Sequence, residues 1–320
     1  MAALLSLAIP FFSLIFLGYG AGRVRRDMTE LGWLQIFVIY LALPALFFQL
    51  VSKTPFEQLV NWRFILATSF VTYCTFVLAF TVGVISTRGR LHAATIQAAA
   101  GSYANIGYLG PGLTIGALGA SATVPTALIF TFDSVLLFTL VPLLMSLSSA
   151  NTGNQGLARV GMSVVRKVLL HPFILATLAG VVAAYFQLQP PTPIANLIDV
   201  LSKAAAPCAL FAMGVTIAQR PLKRFPTELP FLVIIKLLIH PAIMVAVMVI
   251  FGQFDPVWVY TAILMASLPT AANVYVMAQE YNIYAERASA TILVTTVLSV
   301  VTVSTLLYLV TNKLIPISGG

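Results

Sequence analysis

Apolar residues run through this chain in long blocks, and polar residues gather in the short gaps between them. About 20 consecutive apolar residues span a hydrocarbon core of about 30 Å as a helix. Ten such blocks lie near residues 4–22, 31–51, 63–86, 92–117, 122–147, 163–187, 194–219, 228–252, 256–281 and 286–312. The pattern predicts an all-α polytopic membrane protein with ten transmembrane helices. The gaps are too short for a soluble domain. The widest, "SLSSANTGNQGLAR" at 146–159, falls at the halfway point.

That midpoint divides two halves that match in order. "PFFSLIFLG" from Pro10 pairs with "PFILATLAG" from Pro172, "PALFF" from Pro44 with "PCALFAMG" from Pro207, and "SYANIGYL" from Ser102 with "TAANVYVM" from Thr270. The separations are 162, 163 and 168 residues. A unit of five spans is odd, so its second copy enters the membrane upside down, which is the plan of many secondary transporters. The expected domains are a first five-helix repeat over 1–147, a cytoplasmic linker over 148–162 and a second repeat over 163–312.

Composition agrees with the block pattern: the 320 residues are 60% hydrophobic and 8% charged, and mean hydropathy is +0.99. A soluble domain carries about 25% charged residues. The net charge of +8 sits in loops rather than in a nucleic-acid-binding stripe. Arg23, Arg25, Arg26, Arg88, Arg90, Arg159, Arg166, Lys167, Arg220, Lys223, Arg224 and Arg287 share one side, against Lys53, Arg63 and Lys313 on the other. Basic loops stay in the cytoplasm. The expected location is therefore the inner (plasma) membrane, multi-pass, with both termini outside the cytoplasm. The first block lacks a basic leader and reads as a span rather than a signal peptide. Cys74 and Cys208 read as buried small hydrophobes, and no metal-ligand spacing or cofactor motif is present.

Spans 4 and 9 are unusual. "GSYANIGYLGPG" at 101–112 places Gly107 and Pro111 at membrane depth, and "SLPTAANVYVMAQEY" at 267–281 does the same with Pro269. Proline removes a helix hydrogen bond and clashes with the preceding turn. A freed backbone group in lipid costs several kcal/mol unless protein or a wet cavity satisfies it. Both spans are expected to break, with half-helix ends meeting near the midplane where ions and anionic groups bind. Asn105 and Asn273 hold matching places in the two copies. Each amide either caps its own broken helix or lines a site; the symmetry favours the site, with Ser102, Thr270 and Tyr108 beside it.

At these residues the chain resembles the auxin efflux carrier family of membrane transporters. "SLPTAANVYVMAQEY", "NIGYLGPGL", "LPALFF", "PCALFAMGV" and "KLLIHP" carry the likeness, which extends over nearly the whole chain. The resemblance implies a scaffold of spans 1, 2, 6 and 7, and a transport domain of spans 3–5 and 8–10 that moves as an elevator. Spans 4 and 9 would cross at their breaks, in a homodimer. It implies a small organic anion as substrate; the short central gap resembles the bacterial dicarboxylate branch, with malonate or malate, more than the auxin carriers.

Three ionisable residues approach the midplane: Asp133, Lys203 and Lys236, each about 12–16 Å deep by helix rise. A charge at that depth needs a partner or a cavity. Lys203 either pairs with Asp199 one turn earlier or attracts the substrate carboxylate, and the second is favoured. Asp133 and Lys236 either form a structural ion pair or make Asp133 a proton-coupling site. His240 shares a face with Lys236 and reads first as a packed histidine. The leading expectation is a carrier of a small organic anion, with H+ or Na+ as candidate coupling ion. The alternative is a sodium-coupled symporter of the bile-acid carrier type. An intramembrane enzyme is disfavoured, because neither a second aspartate at Asp133's depth nor a zinc motif is present.

Overall fold

The computed structural model describes residues 2–24, 29–149, 166, 170, 172–219, 226–251, 254–312 and 314–315. Among these, regular structure is helical throughout, and an isolated antiparallel bridge between Ala104 and Thr270 is the one extended pairing. Residues 150–162 of the expected linker lie outside the described residues. So do Arg25, Arg26, Arg159, Lys167, Arg220, Lys223, Arg224 and Lys313.

The first half contains α1 (Ala2–Val24), α2 (Thr29–Phe37), α3 (Leu43–Ser52), the short α4 (Phe56–Leu59), α5 (Trp62–Ser86), α6 (Leu91–Ser102), α7 (Gly110–Leu118) and α8 (Thr123–Ser149). The second contains α9 (Pro172–Tyr185), α10 (Thr192–Ala218), α11 (Leu229–Ile234), α12 (His240–Ile250), α13 (Pro256–Ser267), α14 (Asn273–Glu280) and α15 (Ala285–Thr311). Among the described residues, six helical stretches are long and apolar enough to cross a membrane, and three shorter apolar helices accompany them. Two α-helical pairs run on through a wide π turn, Val38–Ala42 between α2 and α3 and Ile235–Ile239 between α11 and α12. Each π turn is followed within two residues by a proline, Pro44 or Pro241. A proline offers no N–H to the preceding turn, and one widened turn absorbs that loss without ending the helix.

Large apolar side chains cover the outside: Phe16, Leu66, Phe70, Val77, Val182 and Val301 are all exposed. Such a surface is stable only against lipid. Helix contacts inside are close because small residues stand at them. A Cβ at Gly18 of α1 would lie 2.2 Å from the Phe211 carbonyl oxygen of α10, and one at Gly180 of α9 would lie 3.2 Å from the Phe48 carbonyl oxygen of α3. Gly18 and Gly180 are matched in the sequence, as are Phe48 and Phe211, so the same contact occurs twice with its halves exchanged.

Cys74 and Cys208 are free and half-buried, somewhat less enclosed than the sequence pattern suggests.

Candidate functional site

The two interrupted helices meet. Between α6 and α7 the chain is non-helical over 103–109, and between α13 and α14 over 268–272. Gly107 and Pro269 lie inside these breaks, whereas Pro111 sits in the first turn of α7, where a missing N–H costs nothing. The strands of the two breaks run antiparallel: Asn105 N donates to Pro269 O at 2.8 Å, and Ala271 N donates to Tyr103 O at 3.1 Å.

The freed helix ends are satisfied almost group by group. Ser102 Oγ donates to Ala98 O at 2.7 Å, and Thr270 Oγ1 reaches across to Ala100 O at 2.6 Å. Thr270 N in turn donates to Thr295 Oγ1 of α15 at 3.2 Å. At the end of α13, Lys236 Nζ donates to Ala266 O at 2.8 Å, and Ser267 Oγ to Leu264 O at 2.7 Å. An ammonium at a helix C-terminus meets the negative end of its dipole. This cap accounts for a lysine with no exposed surface.

Lys236 and Asp133 do not form a direct ion pair. Lys236 turns to Ala266 and to His240 Nδ1, 2.9 Å away. Because the ammonium donates to Nδ1, a neutral His240 carries its proton on Nε2, which is buried without a partner. Asp133 Oδ2 accepts from Thr72 Oγ1 of α5 at 3.0 Å, while Oδ1 is buried with no partner. Next to it in sequence, Ser134 Oγ lies 3.3 Å from the hydroxyl of Tyr103 at the edge of the break.

Asn105 is buried, and its Nδ2 donates to Met213 Sδ of α10 at 3.4 Å. Asn273 is half-buried at the first position of α14, and its side chain makes no hydrogen bond. Tyr108 is half-buried. The bridge pairs Tyr103 with Ala271 and Asn105 with Pro269, a pattern symmetric about Ala104 and Thr270. The residue equivalent to Asn105 in that pattern is Ala271, and Asn273 lies two positions further on. The sequence match misses this because one break spans seven residues and the other five.

Lys203 is not brought to the crossing. It pairs with Asp199 at 2.5 Å, and its side chain is 75% exposed. Gln49 of α3 joins them: Nε2 donates to Asp199 Oδ1 at 3.2 Å, and Oε1 accepts from Ser202 Oγ at 2.6 Å. Lys203 stands ten residues before Met213 on α10, about 15 Å along the axis.

Above the first break, a Cβ at Gly107 would lie 3.3 Å from the Phe130 ring, which stacks on Phe47 of α3 with centroids 3.5 Å apart. Cavities of about 750, 1010 and 560 Å3 lie elsewhere; none is lined by residues of the breaks. No group of three or more metal-ligating side chains occurs among the described residues.

Sequence reasoning overlooked Met213, Thr72 and Thr295. Met213 was visible as the methionine of "PCALFAMG", and Thr72 as one of a threonine series with Thr68 and Thr75 on one face of α5.

Residues 4–307 match the family described as membrane transport protein. A protein of Rhizobium meliloti (strain 1021) named "Putative malonate transporter" is 51% identical over 317 residues, covering 99% of this chain and 98% of its own. "Uncharacterized transporter YfdV" of Escherichia coli (strain K12) is 24% identical over 94% of this chain and 95% of its own. "Probable auxin efflux carrier component 1b" of Oryza sativa subsp. japonica is 29% identical over 37% of this chain and 22% of its own.

Proposed function

The chain belongs to the membrane transport protein family, that of the auxin efflux carriers, and from that premise we propose that this membrane transporter carries a small carboxylate, malonate or a close dicarboxylate, at the crossing of its two broken helices. The observation that carries the reading is the Asn105–Met213 contact. It leaves a buried amide N–H on a weak thioether acceptor, where a carboxylate oxygen would bind better. Asn273, unbonded at the N-terminus of α14, offers a second amide beside the positive end of a helix dipole. Ser102 and Thr270 hold the backbone of the breaks, and Tyr108 lies at their margin.

The fold reading is ten spans in two inverted five-helix repeats, divided as 1–147 and 163–312. The exchanged Gly18–Phe211 and Gly180–Phe48 contacts support it, since a two-fold relation in the membrane plane produces such a swap. These contacts join α1 to α10 and α9 to α3, and Gln49 of α3 bonds to Asp199 and Ser202 of α10. The four helices make the scaffold in this reading, with α5–α8 and α11–α15 as the transport unit.

An elevator motion fits the depths. The break begins after twelve residues of α6, about 17 Å from that helix's basic-side end. It meets α10 at Met213, five residues and about 8 Å from the same side. In this reading the transport unit stands displaced toward the basic side by about 9 Å. Movement outward carries Asn105 up α10 toward Ser202 and Lys203, where Lys203 meets the anion. Asp133, with one bare oxygen, is the proton-coupling group in this reading. Scaffold faces pair in a homodimer.

Uptake of radiolabelled malonate into proteoliposomes tests the proposal. Saturable uptake, competed by other small dicarboxylates and dependent on a pH gradient, is the expected result; no uptake above empty liposomes under any gradient contradicts it. Dependence on sodium instead of pH would favour the symporter alternative.

A further inference from the structure

The far end of α6 opens on a different polar region. Two turns, residues 87–90 between α5 and α6 and residues 281–284 between α14 and α15, wall the cavity of about 1010 Å3. Arg88, Arg90, His92 and Arg287 line it, with Glu286 as its acid, and Leu91 and Ile283 give it an apolar side.

Both turns are bent into the left-handed region, with φ of 54° at Arg88, 52° at Asn282 and 63° at Tyr284. Such conformations are uncommon outside glycine. Arg287 is fixed from behind, because its Nη1 donates to the buried Glu228 carboxylate at 2.8 Å. Arg88 and Arg90 are exposed, and neither guanidinium has a carboxylate partner.

Arginines at a cytoplasmic face follow from topology alone and need no ligand. Topology does not explain why three of them, two from the α5–α6 turn and one from the first turn of α15, converge on one cavity with an apolar wall. Basic pockets between helices at the cytoplasmic side suit lipid headgroups, and arginine binds phosphate through paired N–H groups.

We propose that this cavity holds the phosphate of an anionic phospholipid. Arg88 and Arg90 take the phosphate oxygens, Arg287 supplies charge from the opposite wall, and Leu91 and Ile283 cover the first acyl carbons. The lipid would tie the α5–α6 turn to the α14–α15 turn, and so hold the basic-side end of the helix whose other end forms the crossing. The site does not depend on which solute is carried.

The test is thermal stability of the full chain in neutral detergent, titrated with phosphatidylglycerol, phosphatidylcholine or inorganic phosphate. Phosphatidylglycerol should raise Tm by several degrees and phosphatidylcholine should not. The Arg88→Gln/Arg90→Gln protein should keep its lipid-free Tm and need at least fivefold more phosphatidylglycerol for the same shift. Arg88→Lys/Arg90→Lys should recover part of that loss. An unchanged titration in the glutamine variant, equal shifts from both lipids, or full protection by inorganic phosphate alone would each overturn the proposal.

Discussion

The Asn105 amide nitrogen lies 3.4 Å from Met213 Sδ, joining the break in one half of the chain to a continuous helix in the other. A thioether accepts a hydrogen bond weakly, so this contact closes the crossing without holding the amide strongly.

Asn105→Ala should therefore lower the kcat/KM of malonate uptake by tenfold or more while Tm in detergent moves little. Loss of one buried hydrogen bond to a charged ligand corresponds to about 1.5–3 kcal/mol. Uptake kinetics in proteoliposomes check it; an unchanged kcat/KM would remove Asn105 from the site.

Asp133→Asn keeps the bond from Thr72, because the amide oxygen still accepts, but removes a titrating group whose Oδ1 has no partner. Uptake by this variant should lose its dependence on a pH gradient, measured with and without an acid exterior. A gradient response as large as that of the parent would refute coupling through Asp133.

Gly18→Ala should destabilise the α1–α10 packing, since the added Cβ would meet the Phe211 backbone carbonyl oxygen at 2.2 Å. Forced overpacking of this kind costs about 1–3 kcal/mol. Gly20→Ala, with nothing within 4 Å of its Cβ position, is the neutral control. Equal Tm values for the two would contradict the close α1–α10 contact.

Glu228, buried just before α11, links two loops by accepting from the Tyr284 hydroxyl and from Arg287. Burial pushes its carboxyl upward, but the bonds from Tyr284, its own backbone and Arg287 outweigh that and hold it below the usual range. A lowered folded value means that the ionised carboxylate stabilises the fold above the ordinary value of 4.5, and that this is lost as pH falls below it. Glu228→Gln should lower Tm at neutral pH and flatten the loss of stability between about pH 5 and pH 3. A variant that melts in parallel with the parent across that range would disprove the linkage.

The sequence made the breaks legible because their cause is local: Pro269 cannot donate, and the glycines around Gly107 do not favour a helix. The apolar blocks likewise follow from membrane thickness. The register of the crossing was not legible, because it depends on two backbones 166 residues apart pairing through breaks of unequal length. The hydrogen-bond partner of Lys236 was not legible for a related reason. That partner is a backbone carbonyl, Ala266 O, which leaves no mark in the sequence, whereas an aspartate at similar depth does. Lys203 showed its helix neighbour Asp199 correctly, but in the proposed elevator motion its distance from the crossing depends on where the transport unit stands along α10.

That position can be measured directly. With Cys74 and Cys208 replaced, Asn105→Cys/Met213→Cys and Asn105→Cys/Ser202→Cys proteins can be oxidised in membranes with and without a pH gradient. The first pair should cross-link rapidly and the second at a lower rate. Cross-linking confined to the first pair under every gradient would mean that the crossing does not travel.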